Sequence, residues 1–584
     1  MRKRRRGLIC LLLCLLLAGG SAEEACPVFS EYLVIPEFPV PVFSRPSGAY
    51  PEAFSLEISG GGEGLHIHYT TDGSLPTDAS PEYREPIPME NRTEEPNVLA
   101  AVDPELFSPD SKYRPGNVRK CQVIRAACFD GKGRRGEVAS ASYLVGLPET
   151  GVRTVSVLLN PEALFDPEEG IYVLGRTYRE WRERTPDADQ TPTWELPANY
   201  AQRGREWERP AHLDVIDPDG TLLLSQELGL RLMGTATRSY YQKSFRLTAR
   251  KEYGGKNVDG ALIDGLVRER DGAPLEKMKS FTLRNGGNDN QSSMLRDPFL
   301  QELVRSCRFS TQASEPCEVY LDGEYWGLYA ITEDYSDDYL ADNYDIPKKN
   351  VVMIKTGELE EGWPEDLALY DELMEAGKAD LTDPESYERI GRMLDLDSFI
   401  DYTIVNLYTD NNDGIFGDEG ENNWRIWRSR LPEEGNEYGD CRWRFLLYDT
   451  EYSMGLYRMM GEDPGFDEDT LGIVLERPAE GFTGLFQRLV RNGDFRVRFV
   501  RRFEELRENV FAPEHFQPVL DRIAARYRPL MAAQVARNGP DWAVDIFGSP
   551  EGFFDYYVEM IRAYLNGRYE TSLPMLHAHL GTAE

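Results

Sequence analysis

The sequence predicts an α+β protein in which an all-β region precedes a larger domain of strands followed by helices. Between about residues 39 and 145, short runs of alternating apolar and polar residues are broken by Gly, Pro, Asp and Ser. Alternation with frequent turn residues is typical of an antiparallel β-sandwich. From Arg153 onward, alternating segments come first, and apolar residues at helical spacing follow. The 584 residues, 41% of them hydrophobic, suffice for two or three domains with large cores.

The first 22 residues have the composition of a secretory signal peptide. Five basic residues follow Met1, an apolar run extends from Leu8 to Leu17, and small residues lead to Ala22. That order is typical of a cleaved export signal, and the apolar run is too short to span a bilayer. We therefore expect cleavage after Ala22, a secreted or cell-surface protein, and no transmembrane anchor.

The chain is strongly acidic. It contains 100 Asp and Glu against 65 Lys and Arg, which gives a formal net charge of -35. Such a charge repels nucleic acid, so no nucleic-acid partner is expected. Any nucleotide ligand would need a local group of cations within this acidic protein.

Six cysteines follow the predicted signal peptide. Export permits disulfides, and two pairs are close enough in sequence to close small loops, Cys121 with Cys128 and Cys307 with Cys317. No group of Cys and His has the spacing of a zinc site.

The front region contains four strand-like runs and one distinctive turn. The runs cover residues 54–58, 65–69, 123–127 and 139–143. The segment Tyr69-Thr-Thr-Asp-Gly73-Ser-Leu-Pro76, followed by Tyr83 and Pro86-Ile87, resembles the small immunoglobulin-like module at the C-terminus of chitobiases and hexosaminidases. The resemblance assigns residues 23–146 to such a β-sandwich. It also implies contact with cell-wall or other glycan.

The larger domain, residues 147–584, begins with strands. Strand-like segments cover residues 229–234, 242–247 and 281–285, and a helix is entered near Arg296. Cys317 to Glu333 then forms two alternating runs around Asp322-Gly323, a dipeptide that strongly favours a hairpin turn. A helix is predicted to begin around Asp397, which is suited to cap it, and the tail from Gly481 is helical.

Acidic and amide residues cluster between Asn406 and Gly455. The predicted helix leads into a loop with Asp413, two strand-like segments begin just after Asn422-Asn423, and Asp449 and Glu451 follow the second segment. Carboxylate and amide oxygens are the hard ligands that Mg²⁺ prefers. Taken singly, each of these residues is equally suited to a turn between strands.

Residues from about Val155 to the C-terminus resemble the spore coat protein H (CotH) kinase family. The matching segments are Gly-x-x-x-Arg238 with Lys243-Ser-Phe-Arg-Leu, Leu283-Arg-Asn285 with Leu295-Arg296, Asp322-Gly323-x-Tyr-x-Gly327-x-Tyr-x-x-x-Glu333, Asn411-x-Asp413, Asn423 and Asp449-x-Glu451-x-x-x-Gly455. The resemblance implies an atypical protein-kinase-like α+β fold. It further implies ATP-dependent phosphorylation of Ser or Thr on secreted or surface proteins, with ATP and Mg²⁺ as cofactors.

The resemblance assigns chemical roles to four acidic or amide residues. Asp413 matches the catalytic Asp, which orients the acceptor hydroxyl and accepts its proton. Asn423 and Asp449 match the Mg²⁺ ligands, and Glu451 stands where the family usually has a second Asp.

The same resemblance assigns cations to the nucleotide. Lys243 would contact its phosphates, with Glu333 as the acid that holds it, as the lysine–glutamate pair does in protein kinases. Further cations for the phosphates would come from Arg238, Arg284 and Arg296. The alternative for Lys243 is a strand-surface cation, and the alternative for Glu333 is a strand-end carboxylate. For the three arginines the alternative is surface pairing with carboxylates.

Two questions stay open at this stage. Asp413 and Asn423 are ten positions apart, about twice the interval in protein kinases, while Asp418 lies five before Asn423. Either Ile415–Glu421 contains an insertion and Asp413 is catalytic, which we prefer, or Asp418 has that role. The second question is whether the protein is an exported kinase or a catalytically degenerate surface adhesion or scaffold protein that binds glycan or protein partners.

Overall fold

A computed structural model describes residues 34–107, 114–185, 190–417, 421–458, 460–461, 463–540 and 542–582. The predicted signal peptide and Asp418 lie outside these residues. Strands dominate up to Glu333 and helices predominate after it, so the α+β class is confirmed. No helix in the described part of the chain is long and apolar enough to cross a membrane.

The front region folds into short strands around a small core. Its strands are β1 (Val42–Phe43), β2 (Gly48–Tyr50), β3 (Phe54–Leu56), β4 (Ile58–Ser59), β5 (Leu65–Thr70), β6 (Ile87–Met89), β7 (Gln122–Asp130) and β8 (Ala139–Val145). A four-stranded sheet has the order β2-β8-β7-β5, and two ribbons pair β1 with β4 and β3 with β6. Apolar residues of both ribbons and of the sheet form one buried cluster. Three of the four predicted strand-like runs lie within β5, β7 and β8, whereas the run 54–58 is divided between β3 and β4 at Glu57.

The next strands close into a barrel. They are β9 (Arg153–Leu158), β10 (Arg209–Ile216), β11 (Leu222–Met233), β12 (Ser244–Thr248), β15 (Ser280–Arg284), β16 (Ser314–Leu321) and β17 (Glu324–Glu333), with a separate ribbon of β13 (Val258–Asp259) and β14 (Lys277–Met278). The closed order is β10-β11-β12-β15-β17-β16-β9. The predicted hairpin is confirmed, because β16 and β17 pair around Asp322-Gly323.

Part of the front region belongs to the barrel core. Leu99, Phe107 and Cys121 lie in the same buried cluster as the barrel strands. The Phe107 ring lies 5.2 Å from that of Tyr172. The Glu324 carboxylate accepts hydrogen bonds from two backbone amides of this segment, at 2.6 and 2.7 Å. The two parts of the chain therefore share a hydrophobic core across the predicted boundary at residue 146.

A second sheet and the helices complete the larger domain. The sheet has the order β19-β18-β20-β21, formed by β18 (Val351–Lys355), β19 (Glu358–Glu361), β20 (Arg425–Ser429) and β21 (Arg444–Leu446). The helices are α1 (Pro161–Phe165), α2 (Gly175–Arg184), α3 (Arg296–Leu303), α4 (Asp337–Tyr344), α5 (Leu367–Ala376), α6 (Pro384–Met393), α7 (Leu396–Tyr408), α8 (Thr470–Glu476), α9 (Gly481–Leu489), α10 (Gly493–Asn509), α11 (Pro513–Tyr527), α12 (Met531–Asn538), α13 (Ala543–Phe547) and α14 (Pro550–Leu580). One large apolar cluster joins α3, the second sheet and the helices from α5 onward.

Helix α7 forms as its apolar spacing predicts, but its cap differs. Asp395 is the N-cap, and its side chain accepts a hydrogen bond from the Ser398 amide. Asp397 lies in the first turn and pairs with Arg498 at 2.7 Å. The prediction that Asp397 caps the helix was therefore wrong by two residues.

The cysteine pairs suggested by sequence spacing do not form. Cys121, Cys128, Cys307 and Cys317 are all free and buried. Cys128 lies in the extended strand β7 and Cys121 directly precedes it. Seven extended residues span roughly 23 Å, whereas a disulfide needs Cα atoms within about 7 Å.

Candidate active site

The site is a cleft between the barrel, the second sheet and the loops that follow α7 and β21. Its volume is about 1150 Å³. The wall on the barrel side includes Met233 to Arg238 and Arg284. The loops next to the β20–β21 hairpin contribute Asp413, Asn423 and Asp449 to the lining. The structure thus brings together in one cleft five residues with a predicted role, which are Arg238, Arg284, Asp413, Asn423 and Asp449.

Asp413 is held by two side-chain amides. Asn422 donates its Nδ2 to Asp413 Oδ1, and Asn423 donates its Nδ2 to Oδ2, both at 2.8 Å. The backbone amide of Asn422 also donates to the Gly414 carbonyl at 3.2 Å. The chain therefore leaves the site at Gly414 and is back beside it at Asn422. Asp413 and Asn423 are adjacent in space despite their separation in sequence.

Asn423 and Asp449 lie at the same end of the β20–β21 hairpin. The first hairpin pair joins Arg425 to Leu446, so Asn423 enters the hairpin where Asp449 leaves it. Both residues have positive φ angles, 42° for Asn423 and 58° for Asp449. Asn and Asp adopt this left-handed conformation more readily than other residues besides glycine, so both turns suit the residues that occupy them.

Arg284, the last residue of β15, binds the acidic pair after the hairpin. Its Nη2 donates to Asp449 Oδ1 at 3.0 Å and to Glu451 Oε1. Its Nε lies 3.9 Å from Asp297 Oδ2. Burial works against the Arg284 charge, but the surrounding carboxylates, led by Glu451, outweigh it and raise the pKa of Arg284.

The pKa values of the two carboxyl groups of this pair are shifted in opposite directions. Burial favours the neutral form of Asp449, yet the Arg284 guanidinium holds the pKa of Asp449 below its usual range. Burial and the Asp449 charge together raise the pKa of Glu451 well above its usual range, against the opposing effect of Arg284. Asp449 is therefore the carboxyl group of the pair that more readily carries a negative charge, and Glu451 is the one that more readily holds a proton. Glu451 is buried and does not line the cleft.

Asp297 and Asn422 are site residues that the sequence analysis did not identify. Asp297 lies in the first turn of α3 and accepts hydrogen bonds from the Thr450 amide at 3.1 Å and from the Thr450 hydroxyl at 2.9 Å. It therefore fixes the backbone between Asp449 and Glu451. The available sequence signals were its position beside Arg296 and the Asn422-Asn423 doublet.

The cleft is locally cationic although the whole chain is acidic. Seven basic residues line it against five acidic ones. The basic residues are Arg203, Arg231, Arg238, Arg246, Arg284, Lys355 and Arg425, and the acidic residues are Asp334, Glu358, Glu360, Asp413 and Asp449. The requirement for local cations near an anionic ligand is met here.

Lys243 and Glu333 are not brought together. The fully buried Lys243 ammonium donates to the carbonyls of Arg238 at 2.7 Å and Tyr240 at 2.6 Å. Burial, with the charge of Arg238, lowers the pKa of Lys243 well below its usual value. Glu333 ends β17 on another side of the barrel, where its carboxylate accepts from the Ala313 amide at 2.9 Å. Neither residue lines the cleft.

The two remaining predicted arginines are tied to the protein. Arg238 lines the cleft, but its guanidinium donates to four carbonyls, those of Tyr200, Gln202, Leu232 and Gly234. Burial and the charges of nearby arginines lower the pKa of Arg238 to about 10. Arg296 forms a fully buried ion pair with Asp289 and lies away from the cleft.

The donor set fits a magnesium ion that is completed by phosphate. Among the described residues there is no group of three or more His, Cys, Asp or Glu that could hold a metal. Asp449, with 40% of its side chain exposed, offers one carboxylate. Asn423 uses its Nδ2 toward Asp413 and keeps its carbonyl oxygen for another ligand. Magnesium is commonly bound by one or two such oxygens together with substrate phosphates.

The fold and the cleft define an α+β protein with a cationic, carboxylate-bearing cavity between a strand-rich and a helical part. Residues 230–569 match the family model described as CotH kinase protein. Residues 45–100 match the model for the chitobiase/beta-hexosaminidase C-terminal domain. Because the first match covers more than half of the chain, the protein belongs to the CotH kinase family, which supports a kinase-like function in general. No curated protein matches the chain.

Proposed function

We propose that this protein is a Mg²⁺-dependent kinase that transfers the γ-phosphate of ATP to a Ser or Thr hydroxyl of a secreted or surface protein. The observation that carries the proposal is the presence of Asp413, Asn423 and Asp449 together in the lining of the cationic cleft. Phosphoryl transfer requires mainly that the protein position the reactants and stabilise charge. The cleft contains groups suited to both tasks.

Asp413 is suited to the acceptor. Two amides hold its carboxylate, so its orientation is set before a substrate arrives. In the proposed reaction the acceptor hydroxyl gives its proton to Asp413 while its oxygen attacks the γ-phosphorus. The bond between the γ-phosphorus and the bridging oxygen breaks, and ADP leaves.

Asp449 and Asn423 would hold Mg²⁺ against the phosphates. The bound ion would neutralise charge on the phosphate chain. Ionised Asp449 supplies the negative charge for that ion, and Arg284 keeps Asp449 ionised.

Arg284 is proposed to take the structural place of the kinase lysine. In protein kinases that lysine lies on a strand and pairs with a glutamate on the helix that follows. Here Arg284 ends β15, and Asp297, 3.9 Å away, lies on the following helix α3. This order supports a kinase-like arrangement of barrel and helices. With Arg284 in the place of the kinase lysine, the Lys243 ammonium is free to bind backbone carbonyls inside the barrel.

The deciding experiment combines binding with transfer. The melting temperature of the full chain should rise with MgATP, since a ligand that binds only the native state stabilises it. Labelled phosphate should then appear on the protein itself or on an exported partner. Absence of both effects would favour the alternative, a degenerate surface scaffold that binds glycan or protein.

A further inference from the structure

Lys355 is an unpartnered cation at the cleft. It ends β18 and its ammonium lies 5.6 Å from the centre of the Tyr448 ring, one residue before Asp449. Its backbone is paired in the sheet, but its ammonium makes no hydrogen bond or ion pair with any residue that the structure describes. The side chain of Glu358, which faces Lys355 in the β18–β19 register, forms no ion pair with the ammonium either.

The arginines around Lys355 are already engaged. Arg425, its neighbour in register on β20, is held by both carboxylate oxygens of Glu360 at 2.8 Å. Arg246 pairs with Asp334 at 2.6 Å. The carboxylates of Glu360 and Asp334 are thus committed to these arginines, and neither forms an ion pair with Lys355.

The position of Lys355 favours an external anion. Burial and the Arg425 charge lower the pKa of Lys355, while Glu360 and Asp449 act in the opposite sense. A partly buried charge without a hydrogen-bonded partner is costly. An anionic oxygen entering the cleft would provide that partner, and a lysine ammonium, with three donors on a flexible stem, adapts readily to phosphate.

We infer that Lys355 binds the phosphate chain of the nucleotide, the role that the sequence assigned to Lys243. This inference rests on the proposed function. Lys243 is instead a structural residue, because its donors are used by backbone carbonyls inside the barrel. Lys355 reaches the phosphates from the second sheet, on the side of Tyr448 and Asp449.

The test compares Lys355→Met with the parent protein by titration calorimetry in the presence of Mg²⁺. The probes are ATP, inorganic tripolyphosphate and adenosine. Loss of a charged hydrogen bond should weaken the affinity for ATP and for tripolyphosphate about tenfold or more. The affinity for adenosine should be unchanged. Lys355→Arg should recover part of the loss. Lys349→Met, an exposed lysine six residues earlier, is the matched control and should bind all probes as the parent does.

Each outcome separates this inference from the proposed function. Equal ATP and tripolyphosphate affinity in Lys355→Met and parent would overturn the role of Lys355. An equal loss for adenosine would also overturn it, because the effect would not depend on phosphate. If the parent binds tripolyphosphate but not ATP, the kinase proposal fails, and the tripolyphosphate comparison still decides the role of Lys355. Binding of neither probe by a folded parent would overturn both.

Discussion

Asn423 donates its side-chain amide to Asp413 Oδ2 at 2.8 Å although ten positions separate the two residues. Asn422 holds the other oxygen of the same carboxylate. The backbone amide of Asn422 also donates to the Gly414 carbonyl. Asp413 and Asn423 therefore lie next to each other despite the number of residues between them. The geometry therefore supports Asp413 as the residue that faces the acceptor.

The first prediction concerns Asp413. A general base contributes to the chemical step more than to nucleotide binding. Asp413→Asn should therefore lower phosphate transfer about a hundredfold or more, while the Kd for MgATP changes little. The measurement is single-turnover transfer, together with calorimetric binding.

Asp418→Asn is the matched control for this prediction. If residues 415–421 contain an insertion and Asp413 is the catalytic residue, this variant should transfer phosphate at the parental rate. Loss of transfer in Asp418→Asn with full activity in Asp413→Asn would give the catalytic role to Asp418.

The second prediction concerns Asp449. Removing its carboxylate takes away one hydrogen-bond acceptor of Arg284 and the oxygen proposed for Mg²⁺. Asp449→Ala should therefore lose the stabilisation by MgATP, which amounts to about 2.7 kcal/mol at a ligand concentration a hundred times Kd. Thermal melting with and without MgATP measures it. Asp259→Ala, at an exposed aspartate of β13, should keep the full shift; an undiminished shift in Asp449→Ala would exclude the metal role.

The third prediction concerns the shared core at Phe107. This ring is fully buried among barrel aromatics, so Phe107→Ala should lower the free energy of unfolding by about 3–5 kcal/mol. Urea unfolding should show one transition, shifted to lower urea. Val98→Ala, in the same segment but 72% exposed, should change little. Two separate transitions in the parent would show that the front region is independent of the barrel.

Local sequence signals located the elements and the acidic side of the site. The alternation of apolar and polar residues located the strands, and Asp322-Gly323 located the hairpin turn. Asp413, Asn423 and Asp449, which the sequence grouped together, line the same cleft. The roles of the basic residues were harder to predict. The sequence around a lysine or arginine in a strand is similar whether its donors face the cleft or the interior. Lys243 binds carbonyls inside the barrel, whereas Arg284 is selected by carboxylates distant in sequence. Those partners are set by tertiary packing, which no local pattern encodes.

The fourth prediction concerns Glu333, whose carboxyl group is buried away from the cleft. Burial raises the pKa of Glu333 to about 8, whereas an unfolded glutamate titrates near about 4.3. Its contribution to stability is thus fully present below about pH 4 and is lost as pH rises toward 8. Relative to the parent, Glu333→Gln should gain about 2 kcal/mol or more between pH 4 and pH 8, measured by urea unfolding. MgATP binding should not change; a lost MgATP shift would instead restore Glu333 to the nucleotide site.

The last prediction concerns a buried histidine where the front region meets the barrel. His212 contacts Glu227 Oε1 at 2.9 Å and Asp214 Oδ1 at 3.1 Å, and Asp214 also accepts from Ser47 of the front region at 2.8 Å. Burial disfavours the imidazolium, but hydrogen bonds to the two carboxylates raise the pKa of His212 to about 9.

An unfolded histidine titrates near about 6.5, so the raised pKa stabilises the fold fully below that pH, and the gain is lost as pH rises to about 9. We expect His212→Gln to remove about 2–3 kcal/mol of pH-dependent stability over this window. Urea unfolding at half-unit steps from pH 6 to 9.5 measures the difference from the parent. His515→Gln, at an exposed histidine on α11, should follow the parental curve. Parallel curves of stability against pH for His212→Gln and the parent would show that the two carboxylates do not raise the pKa of His212.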